Sequence, residues 1–539
     1  MPEGSRGDDG RTDGGVPPVH DHSSRPYEWV GAWSEKRAEL SPDRVGLVDD
    51  TTGREFTYAD LDARANRTAR LLREHGVMDG ERVAVVSRNR PALVDLFFAC
   101  GKTGGVLAPL SHRLAARELG ELLANVAPEL LVVEAPFVDA VDDALGRVEL
   151  DAVVLALPAD DGPAVEHTSL LAARPEDDSP VETADLAMDD PALFLHTGGS
   201  TGTPKETVMT HGGLLWNSFN TITAWGLRED DTTPMVFPMF HTGGWNVLTL
   251  PLFHMGGEVV IAREFDPGGV LGLVEQSGAT LLVAVPAVLR MMTEHDDWDE
   301  TNLSTLRLAK SGGGPCRDAV LRRWWERDVD LSQGYGLTEC GPNNFTMPDG
   351  WPREKADSVG VPAMHVDARV VDETGDPVHQ GEVGELELAS PHAADRYWGN
   401  ESETRGTFGP TGDADHGWVS TGDLVRVDGA GYYYIVGRKK HMFVSGGENV
   451  YPAAVENVLT DHPDIEEAVV IPIPDERWGE VGKAVVVGDE LLTLDELESF
   501  LDDRLARFKH PRALAFVDEM PTSGPSKIDR GALRERFGG

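Results

Sequence analysis

Residues 82–110 read RVAVVSRNRPALVDLFFACGKTGGVLAPL, and this stretch decides the fold class. Its first five residues form a short apolar run that predicts a buried strand. Residues 91–100 predict a helix, and residues 105–110 predict a second strand. A strand, a helix and a strand in this order predict a βαβ unit and a largely parallel sheet.

The same alternation continues along the chain on both sides of this unit. Residues 58–75 carry apolar side chains at helical spacing, which predicts another helix. Further buried strands are predicted at residues 130–133, 152–156, 259–261 and 280–285. The first two thirds of the chain therefore predict an α/β domain.

The pattern changes from about residue 366. Short alternating segments between Gly and Asp turns predict an antiparallel subdomain, with strands at residues 368–371, 384–388 and 432–436. After Gly437 an α+β pattern begins, with helices predicted at residues 452–460 and 494–505 and strands at residues 467–471 and 514–517. We therefore predict a disordered tail, an N-terminal domain, a hinge and a C-terminal domain, at residues 1–24, 25–436, 437–440 and 441–539.

The charge balance is strongly acidic, with 48 Lys and Arg residues against 92 Asp and Glu residues and a net charge of -44. This balance argues against a nucleic-acid partner and against an anionic membrane surface, because both need a basic face. Lysine is also scarce. An acidic, lysine-poor surface is typical of proteins that work in concentrated salt, so we hypothesise a halophilic cytosol, with an acidic mesophilic protein as the alternative.

The three cysteines, Cys100, Cys316 and Cys340, are widely spaced. They form no CxxC pair and no Cys/His spacing typical of zinc, so we expect neither a disulfide framework nor a zinc site. The sequence has no signal-peptide pattern at its start and no apolar run long enough to span a bilayer. These features favour a cytoplasmic protein.

A loop rich in small and hydroxyl residues follows the predicted strand at residues 192–195. Its backbone N–H groups, hydroxyls and single lysine suit phosphate oxygens. It is not a Walker motif, since its spacing differs and Glu206 follows the lysine. The alternative is a flexible linker. The candidate phosphate residues are Thr197, Gly198, Gly199, Ser200, Thr201, Gly202 and Lys205.

Two further motifs place an aromatic ring and carboxylates after glycine turns. In residues 333–339, QGYGLTE, Tyr335 suits stacking on a base, Thr338 suits a phosphate, and Glu339 suits Mg²⁺. In residues 420–424, STGDL, Asp423 suits the two hydroxyls of a ribose. Taken alone, each motif is also compatible with an ordinary turn.

Two basic motifs lie near the end of the chain. Residues 437–441, GRKKH, form a basic cluster in an acidic protein, which indicates an anion or a solvated charge cluster. Residues 445–452, SGGENVYP, follow it. Residues 521–530, PTSGPSKIDR, present Lys527 on a loop of Gly, Pro and Ser.

In this order, the five motifs closely resemble those of the adenylate-forming superfamily of acyl-CoA synthetases, adenylation domains and firefly-type luciferases. The resemblance runs from about Tyr27 onward. It also includes residues 237–241, 285–287 and 311–315, which read FPMFH, VPA and SGGGP. It implies a large N-terminal domain and a small mobile C-terminal domain with the active site between them. It also implies ATP, Mg²⁺, coenzyme A and a small carboxylic acid as ligands.

The resemblance assigns roles residue by residue. The loop from Thr197 to Lys205 would wrap the β- and γ-phosphates, and Lys527 would bridge the α-phosphate and the acid. Lys440 would be the pivot of the C-terminal domain. His241 would lie beside the acyl pocket, and Thr242, Gly243 and Trp245, which follow it, would shape that pocket. The remaining implied residues are Gly312, Gly313, Gly314, Tyr335 and Gly336 for adenine, Thr338 for the α-phosphate, Glu339 for Mg²⁺, Asp423 and Arg438 for ribose, and Ser445, Gly446, Gly447 and Glu448 for the pantetheine tunnel.

The sequence departs from the family pattern at four positions. Gly198 replaces a common Ser, Glu206 a common Gly, His441 a frequent Asp, and Ser526 a frequent Gly. Glu206 is expected to weaken ATP binding through its charge unless its side chain points away from the phosphates.

The leading hypothesis is a ligase that joins a medium- or long-chain fatty acid to coenzyme A. The nearest alternative is a ligase for an aryl or succinylbenzoate-type acid. An adenylation domain that loads a carrier protein is less favoured, because no carrier domain follows. A non-catalytic nucleotide-binding protein with a relic site belongs to another class, and the four intact residues Lys205, Glu339, Asp423 and Lys527 argue against it. The oligomeric state, including a homodimer, stays open.

Overall fold

The computed structural model describes residues 33–158, 167–197, 205–409, 416–489, 491–522 and 528–538. Its strands are β1 (Val45–Asp49), β2 (Arg54–Thr57), β3 (Arg82–Val86), β4 (Val106–Leu110), β5 (Leu130–Glu134), β6 (Val153–Leu157), β7 (Pro191–Thr197), β8 (Lys205–Thr210), β9 (Thr232–Met235), β10 (Glu258–Ile261), β11 (Leu281–Ala284), β12 (Leu308–Ser311), β13 (Leu331–Gln333), β14 (Phe345–Thr346), β15 (Val361–Pro362), β16 (Asp367–Val371), β17 (Val383–Ala389), β18 (Arg396–Tyr397), β19 (Val419–Val427), β20 (Tyr433–Arg438), β21 (Phe443–Ser445), β22 (Glu448–Val450), β23 (Ile465–Asp475), β24 (Gly479–Gly488) and β25 (Ala513–Phe516). Its α-helices are α1 (Trp33–Leu40), α2 (Tyr58–Glu74), α3 (Pro91–Thr103), α4 (Ala116–Val126), α5 (Val138–Leu145), α6 (Leu170–Ala173), α7 (His211–Trp225), α8 (Thr249–Met255), α9 (Pro267–Gln276), α10 (Pro286–Glu294), α11 (Asp318–Trp325), α12 (Glu401–Thr407), α13 (Pro452–Leu459), α14 (Leu494–Leu501) and α15 (Arg530–Phe537).

A seven-stranded sheet with the order β18-β8-β7-β4-β3-β5-β6 contains the unit that decided the fold class. The strands from β7 to β6 in this order are parallel, whereas β8 and β18 add an antiparallel edge. Strand β3 has the predicted bounds, and α3 is buried along its whole length. Burial on all sides explains why residues 91–103 are so apolar.

Two further sheets complete the α/β part. The order β2-β1-β10-β9 forms one sheet, and the parallel strands β11-β12-β13 form another. The largest apolar core lies around α2, α3 and the central sheet, and a second surrounds the three-stranded sheet and α11. The carboxyl ends of β12 and β13 lead directly into residues 312–314 and 334–339, which places two predicted motifs side by side.

The antiparallel region follows the predicted pattern. Strands β16-β17-β19-β20 form an antiparallel sheet, and strands β22-β21-β24-β23 form the sheet of the last part of the chain, with β25 parallel to β24. Strand β20 ends at Arg438, a 3₁₀ turn covers Lys439–His441, and β21 begins in the next sheet. The predicted α/β class, with an antiparallel subdomain and an α+β C-terminal part, is confirmed.

Several elements differ from their predicted bounds for physical reasons. Helix α3 continues to Thr103, where Lys102 is buried and pairs with Asp62 at 2.8 Å. Helix α14 stops at Leu501, the last residue whose side chain is buried in the core. In the described part of the chain, no helix combines the length and apolar character that crossing a membrane requires.

Candidate active site

The predicted adenine and ribose residues meet where β13, β19 and β20 come together. The Tyr335 hydroxyl donates to Oδ2 of Asp423 at 2.6 Å, and Arg438 pairs with Oδ1 at 2.7 Å. Strand register sets this arrangement, since Asp423 lies directly opposite Arg438 in β19 and β20. Burial raises the pKa of Asp423, and the Arg438 charge opposes that rise. The site thus holds a carboxylate ready to accept hydroxyl hydrogen bonds.

The glycine loops beside this carboxylate have a structural reason for their composition. Gly334 donates its backbone N–H to the Ser311 carbonyl at 2.7 Å, which draws residues 312–314 towards Tyr335. A Cβ on Gly336 would lie only 2.1 Å from the carbonyl oxygen of Pro342, so no other residue fits there. Gly312, Gly313 and Gly314 themselves lie at the carboxyl end of the parallel strand β12, where open α/β sheets bind ligands.

Glu339 lies in a 3₁₀ turn, Thr338–Cys340, next to the ribose residues. Its Oε1 accepts a hydrogen bond from the Tyr397 hydroxyl at 2.7 Å, and its backbone carbonyl accepts from Ala394 at 2.8 Å. Sequence reasoning missed Tyr397, because it lies in an ordinary stretch after β17. Only the pairing of β18 with β8 brings it to the site.

Lys205 lies on the same side of the site. Its Nζ pairs with Oε2 of Glu403 in the first turn of α12, at 2.6 Å, and lies 5.2 Å from the centre of the Tyr397 ring. Thr197 is its partner in the β7–β8 register. The predicted phosphate lysine and the predicted metal ligand Glu339 therefore share one aromatic neighbour. Glu403, a second residue that sequence reasoning missed, neutralises the lysine here.

Some predicted residues lie outside the described ranges. These are Gly198, Gly199, Ser200, Thr201 and Gly202 of the phosphate loop, and Lys527. The two ends of the loop that carries Lys527 are described. Thr522 and Ile528 form an antiparallel bridge, and Asp529 donates its N–H to the Pro521 carbonyl at 2.7 Å. Arg530 then pairs with Glu456 of α13 at 2.5 Å.

Glu206 points away from solvent. Its side chain is fully buried on β8, opposite His196 of β7, and neither carboxylate oxygen has a hydrogen-bond partner among the described residues. Burial raises its pKa to about 8, so Glu206 is protonated at neutral pH and adds no negative charge beside Lys205. The departure from glycine therefore leaves the charge of the phosphate site unchanged.

The predicted acyl side of the site contains a group of packed rings, those of His241, Phe240 and His196, which we call the acyl wall. The His241 ring lies 4.6 Å from Phe240 and 6.1 Å from His196, between ring centres. Burial lowers the pKa of His196 to about 3 and keeps it neutral. Trp245, which the resemblance assigns to shaping the acyl pocket, lies inside the core. It is fully buried, stacks on Phe97 at 5.1 Å, and supports the wall from behind.

The wall continues into a turn of π-helix, Gly243–Val247. A Cβ on Gly243 would lie 2.7 Å from the Phe237 ring, and one on Gly244 would lie 2.7 Å from the Met239 Cα. The turn therefore packs tightly against the core behind it. Irregular turns of this kind occur often at functional sites.

The predicted hinge and tunnel residues lie at the start of the C-terminal part. Lys440 is the centre of the Lys439–His441 turn, and Lys439 pairs with Glu385 of the antiparallel sheet at 2.6 Å. Burial and nearby cations, Arg530 first among them, lower the pKa of His441 to about 3. The pair between Lys439 and Glu385 therefore ties the predicted hinge to the antiparallel sheet.

The tunnel residues Ser445, Gly446, Gly447 and Glu448 form the tip of the β21–β22 hairpin. Ser445 pairs with Glu448, and both glycines have positive φ, 60° and 89°, as a two-residue hairpin turn requires. Gly446 donates its N–H to the carbonyl of Trp478 at 2.9 Å. In this arrangement the hairpin packs on its own domain.

Mg²⁺ fits the residues present. Within the ranges that the structure covers, no three His, Cys, Asp or Glu side chains converge as a metal cluster. Mg²⁺ in nucleotide sites is usually held by one or two carboxylates together with phosphates and water. Oε1 of Glu339 is occupied by Tyr397, and Oε2 remains as a hard oxygen donor of the kind this ion prefers.

Comparison with known proteins matches two family models. The model described as AMP-binding enzyme matches residues 34–398, and the AMP-binding enzyme C-terminal domain matches residues 454–527. The chain is similar to a feruloyl-CoA synthase of an Amycolatopsis species, 38% identical over 512 residues, which cover 94% of this chain and 99% of that protein.

Two other relatives and one solved structure show comparable similarity. An indoleacetate–CoA ligase of Aromatoleum aromaticum is 35% identical, and a long-chain-fatty-acid–CoA ligase of Mycobacterium tuberculosis is 31% identical, each over 94% of this chain and 98% of that protein. The ATP-bound structure of MatB from Rhodopseudomonas palustris superposes with a TM-score of 0.84 at 30% identity, over 95% of this chain and 99% of that one.

Proposed function

The chain belongs to the AMP-binding enzyme family, and from this premise we propose that it activates a carboxylic acid with ATP and transfers the acyl group to coenzyme A. One observation carries the proposal. Asp423, a carboxylate of the ribose type, bonds to Tyr335 and lies close enough to Glu339 for their charges to interact. Glu339 and Lys205, a pair of the phosphate type, share the side chain of Tyr397.

In the first half-reaction, a carboxylate oxygen of the acid attacks the α-phosphorus of ATP, and the bond to pyrophosphate breaks. Two anions must meet, so the site has to neutralise charge on the nucleophile and the leaving group. Lys205 serves the leaving phosphates, and Lys527 bridges the acid and the α-phosphate. Mg²⁺ held at Glu339 supplies further charge stabilisation.

Asp423 and Tyr335 orient the nucleotide during this step. Asp423 accepts the ribose hydroxyls, and Arg438 holds the carboxylate in place from the opposite strand. Gly334, the neighbour of Tyr335, bonds to Ser311 at the start of the glycine loop at residues 312–314, and we assign this loop and the Tyr335 ring to the adenine. Binding energy spent here positions the α-phosphorus without taking part in the chemistry.

In the second half-reaction, a thiolate sulfur attacks the acyl carbon and AMP leaves. The β21–β22 hairpin tip serves this step after the C-terminal domain rotates about Lys440. The rotation withdraws Lys527 and brings up residues 445–448, because the two transition states need different groups in one place.

For the acid, we propose an aryl-substituted carboxylic acid rather than the fatty acid that the sequence favoured. The feruloyl-CoA and indoleacetate ligases are more similar to this chain than the long-chain-fatty-acid ligase. The wall also supports a ring-sized substrate. The rings of His241, Phe240 and His196 pack together in this wall, and the fully buried Trp245 fills the core near the Gly243–Val247 turn.

A medium- or long-chain fatty acid is the second candidate. The long-chain-fatty-acid–CoA ligase of Mycobacterium tuberculosis covers 94% of this chain at 31% identity.

Substrate-dependent ATP–pyrophosphate exchange tests the proposal. We would assay ferulate, indoleacetate, benzoate, succinylbenzoate, octanoate and palmitate with Mg²⁺ at low and high KCl, and then detect the CoA thioesters. We expect exchange with the ring-bearing acids to exceed exchange with palmitate. If none of these acids supported exchange, the enzyme proposal would be refuted. A preference for palmitate would restore the fatty-acid hypothesis.

Lys527→Ala is the matched catalytic variant. Exchange should fall by about a hundredfold or more, as when one charge-stabilising group is lost from a transition state. Lys509→Ala, a basic residue elsewhere in the same domain, is the control. Equal loss in both variants would argue against a catalytic role for Lys527.

A further inference from the structure

A small internal cavity lies between α7 and the Gly243–Val247 turn. Asn217, Asn246, Gly341 and His392 are among the residues that line it. The volume open to the centre of a water-sized molecule is about 10 Å³. This is close to the ~10–15 Å³ that a single buried water needs.

Two side-chain oxygens at this cavity have no donor among the described residues. The side-chain amide of Asn217 donates to the backbone carbonyl of Asn246 at 2.7 Å, which fixes its orientation. The amide of Asn246 donates to Oγ1 of Thr242 at 3.0 Å. The Oδ1 atoms of both asparagines are buried and accept no hydrogen bond from any residue the structure describes. Buried oxygens of this kind are nearly always paired with protein or water.

The surroundings select the ligand. His392 donates from Nε2 to Oδ1 of Asn344 at 3.2 Å, and burial lowers its pKa to about 3, so it is neutral. The sulfur of Met209 and apolar side chains complete the lining. A divalent cation would need six or more oxygen ligands, whereas a water molecule needs only two to four polar partners.

We propose that this cavity binds one water molecule, which donates to Oδ1 of Asn217 and Oδ1 of Asn246 and ties the Gly243–Val247 turn to α7, beside the segment that carries Glu339. Asn246 lies in the π-helical turn that follows His241. Gly341 follows Thr338–Cys340, and a Cβ on it would lie 3.1 Å from Oδ1 of Asn217.

The water therefore does not contact the acid but supports the turn beside the acid site. It holds the Gly243–Val247 turn against α7, whereas the positions of Asp423 and Tyr335 do not depend on this contact. Asn217 and Asn246 are positioning residues for the acid. This role rests on the proposed function, whereas the presence of the water does not.

A crystal structure of the full-length protein tests the site directly. We expect a density peak about 2.7–3.2 Å from both Oδ1 atoms. An empty cavity in a map that shows other buried waters would overturn the proposal. A peak about 2.3–2.6 Å from several oxygens would also overturn it, because that distance is typical of a cation such as Ca²⁺. Neither outcome depends on whether the enzyme is active.

The positioning role is tested with Asn217→Leu, measured with ferulate or with the best acid of the panel. The KM for the acid should rise roughly three- to tenfold, the loss expected from one or two hydrogen bonds, with the KM for ATP unchanged. Asn220→Leu is the matched control, since Asn220 lies one turn further along α7 and bonds to Asn343 instead. Equal shifts in both variants, or no shift in Asn217→Leu, would refute the role. If Asn217→Leu does not fold, the crystal structure still decides on the water.

Discussion

At the nucleotide end of the site, Asp423 divides its two oxygens between Tyr335 and Arg438, and the register of β19 and β20 places Arg438 opposite Asp423. At the acyl end, Gly243 and Gly244 pack against Phe237 and Met239, and Trp245 is buried in the core. The first region depends on charges and hydroxyls at set positions, and the second depends on how closely the chain packs. We therefore expect the chemistry common to all acids to depend on one end, and the selection among acids on the other.

The largest expected effect comes from a substitution that impairs only the nucleotide end. Asp423→Asn keeps the size of the side chain but removes its charge from Arg438 and from the ribose. We expect the KM for ATP to rise about ten- to a hundredfold, as for loss of hydrogen bonds to a charged group, with little change in the KM for the acid. Pyrophosphate exchange at varied ATP and at varied acid concentrations measures the two KM values.

The control for this variant is Asp367→Asn, an exposed carboxylate in the same antiparallel sheet. It should leave both constants as in the wild type. If Asp423→Asn raised both KM values equally, the division between the two ends would be wrong.

The next effect concerns Glu206, on the strand that carries Lys205. Its pKa rises from 4.5 to about 8 on folding, so its contribution to stability is full below about pH 4.5 and is lost as the pH rises through about 8. Glu206→Gln removes this dependence. Between about pH 6 and pH 8, the variant should gain roughly 2 kcal/mol in unfolding free energy relative to the wild type.

Denaturant unfolding of both proteins across this pH range provides the measurement. Glu264→Gln, an exposed carboxylate that pairs with Arg88, is the control and should show no comparable trend. Parallel curves for the wild type and Glu206→Gln would mean that Glu206 is ionised in the folded protein. The concern about its charge near ATP would then return.

The smallest expected effect concerns the affinity for ATP at the phosphate end. Glu403 pairs with Lys205 at 2.6 Å and must give way to the phosphates. Because its side chain is partly exposed, such a pair contributes about 0–1 kcal/mol. Glu403→Gln should therefore lower the KM for ATP by up to about fivefold. Glu401→Gln, in the same turn of α12, is the control, and a higher KM in Glu403→Gln would show that Glu403 helps ATP to bind.

The sequence predicts the fold class, which the structure confirms. The motifs that carry Asp423, Tyr335 and Arg438 predict one nucleotide site, and the structure brings the three side chains into contact, whereas their roles stay a prediction. Tyr397 and Glu403 were missed because no local pattern marks them. They reach Lys205 only through the pairing of β18 with β8. The position of Trp245 after His241 predicts a residue that shapes the acyl pocket, and packing shows that its side chain is buried in the core.

Arg438, the last residue of β20, contacts the ribose carboxylate on one side and the Lys439–His441 turn on the other. Rotation at that turn would pull on the partner of Asp423. Nucleotide occupancy and domain orientation are then thermodynamically linked, and the link is reciprocal. If AMP favours one orientation over the other, thiol binding to that same orientation must tighten the hold on AMP by an equal factor.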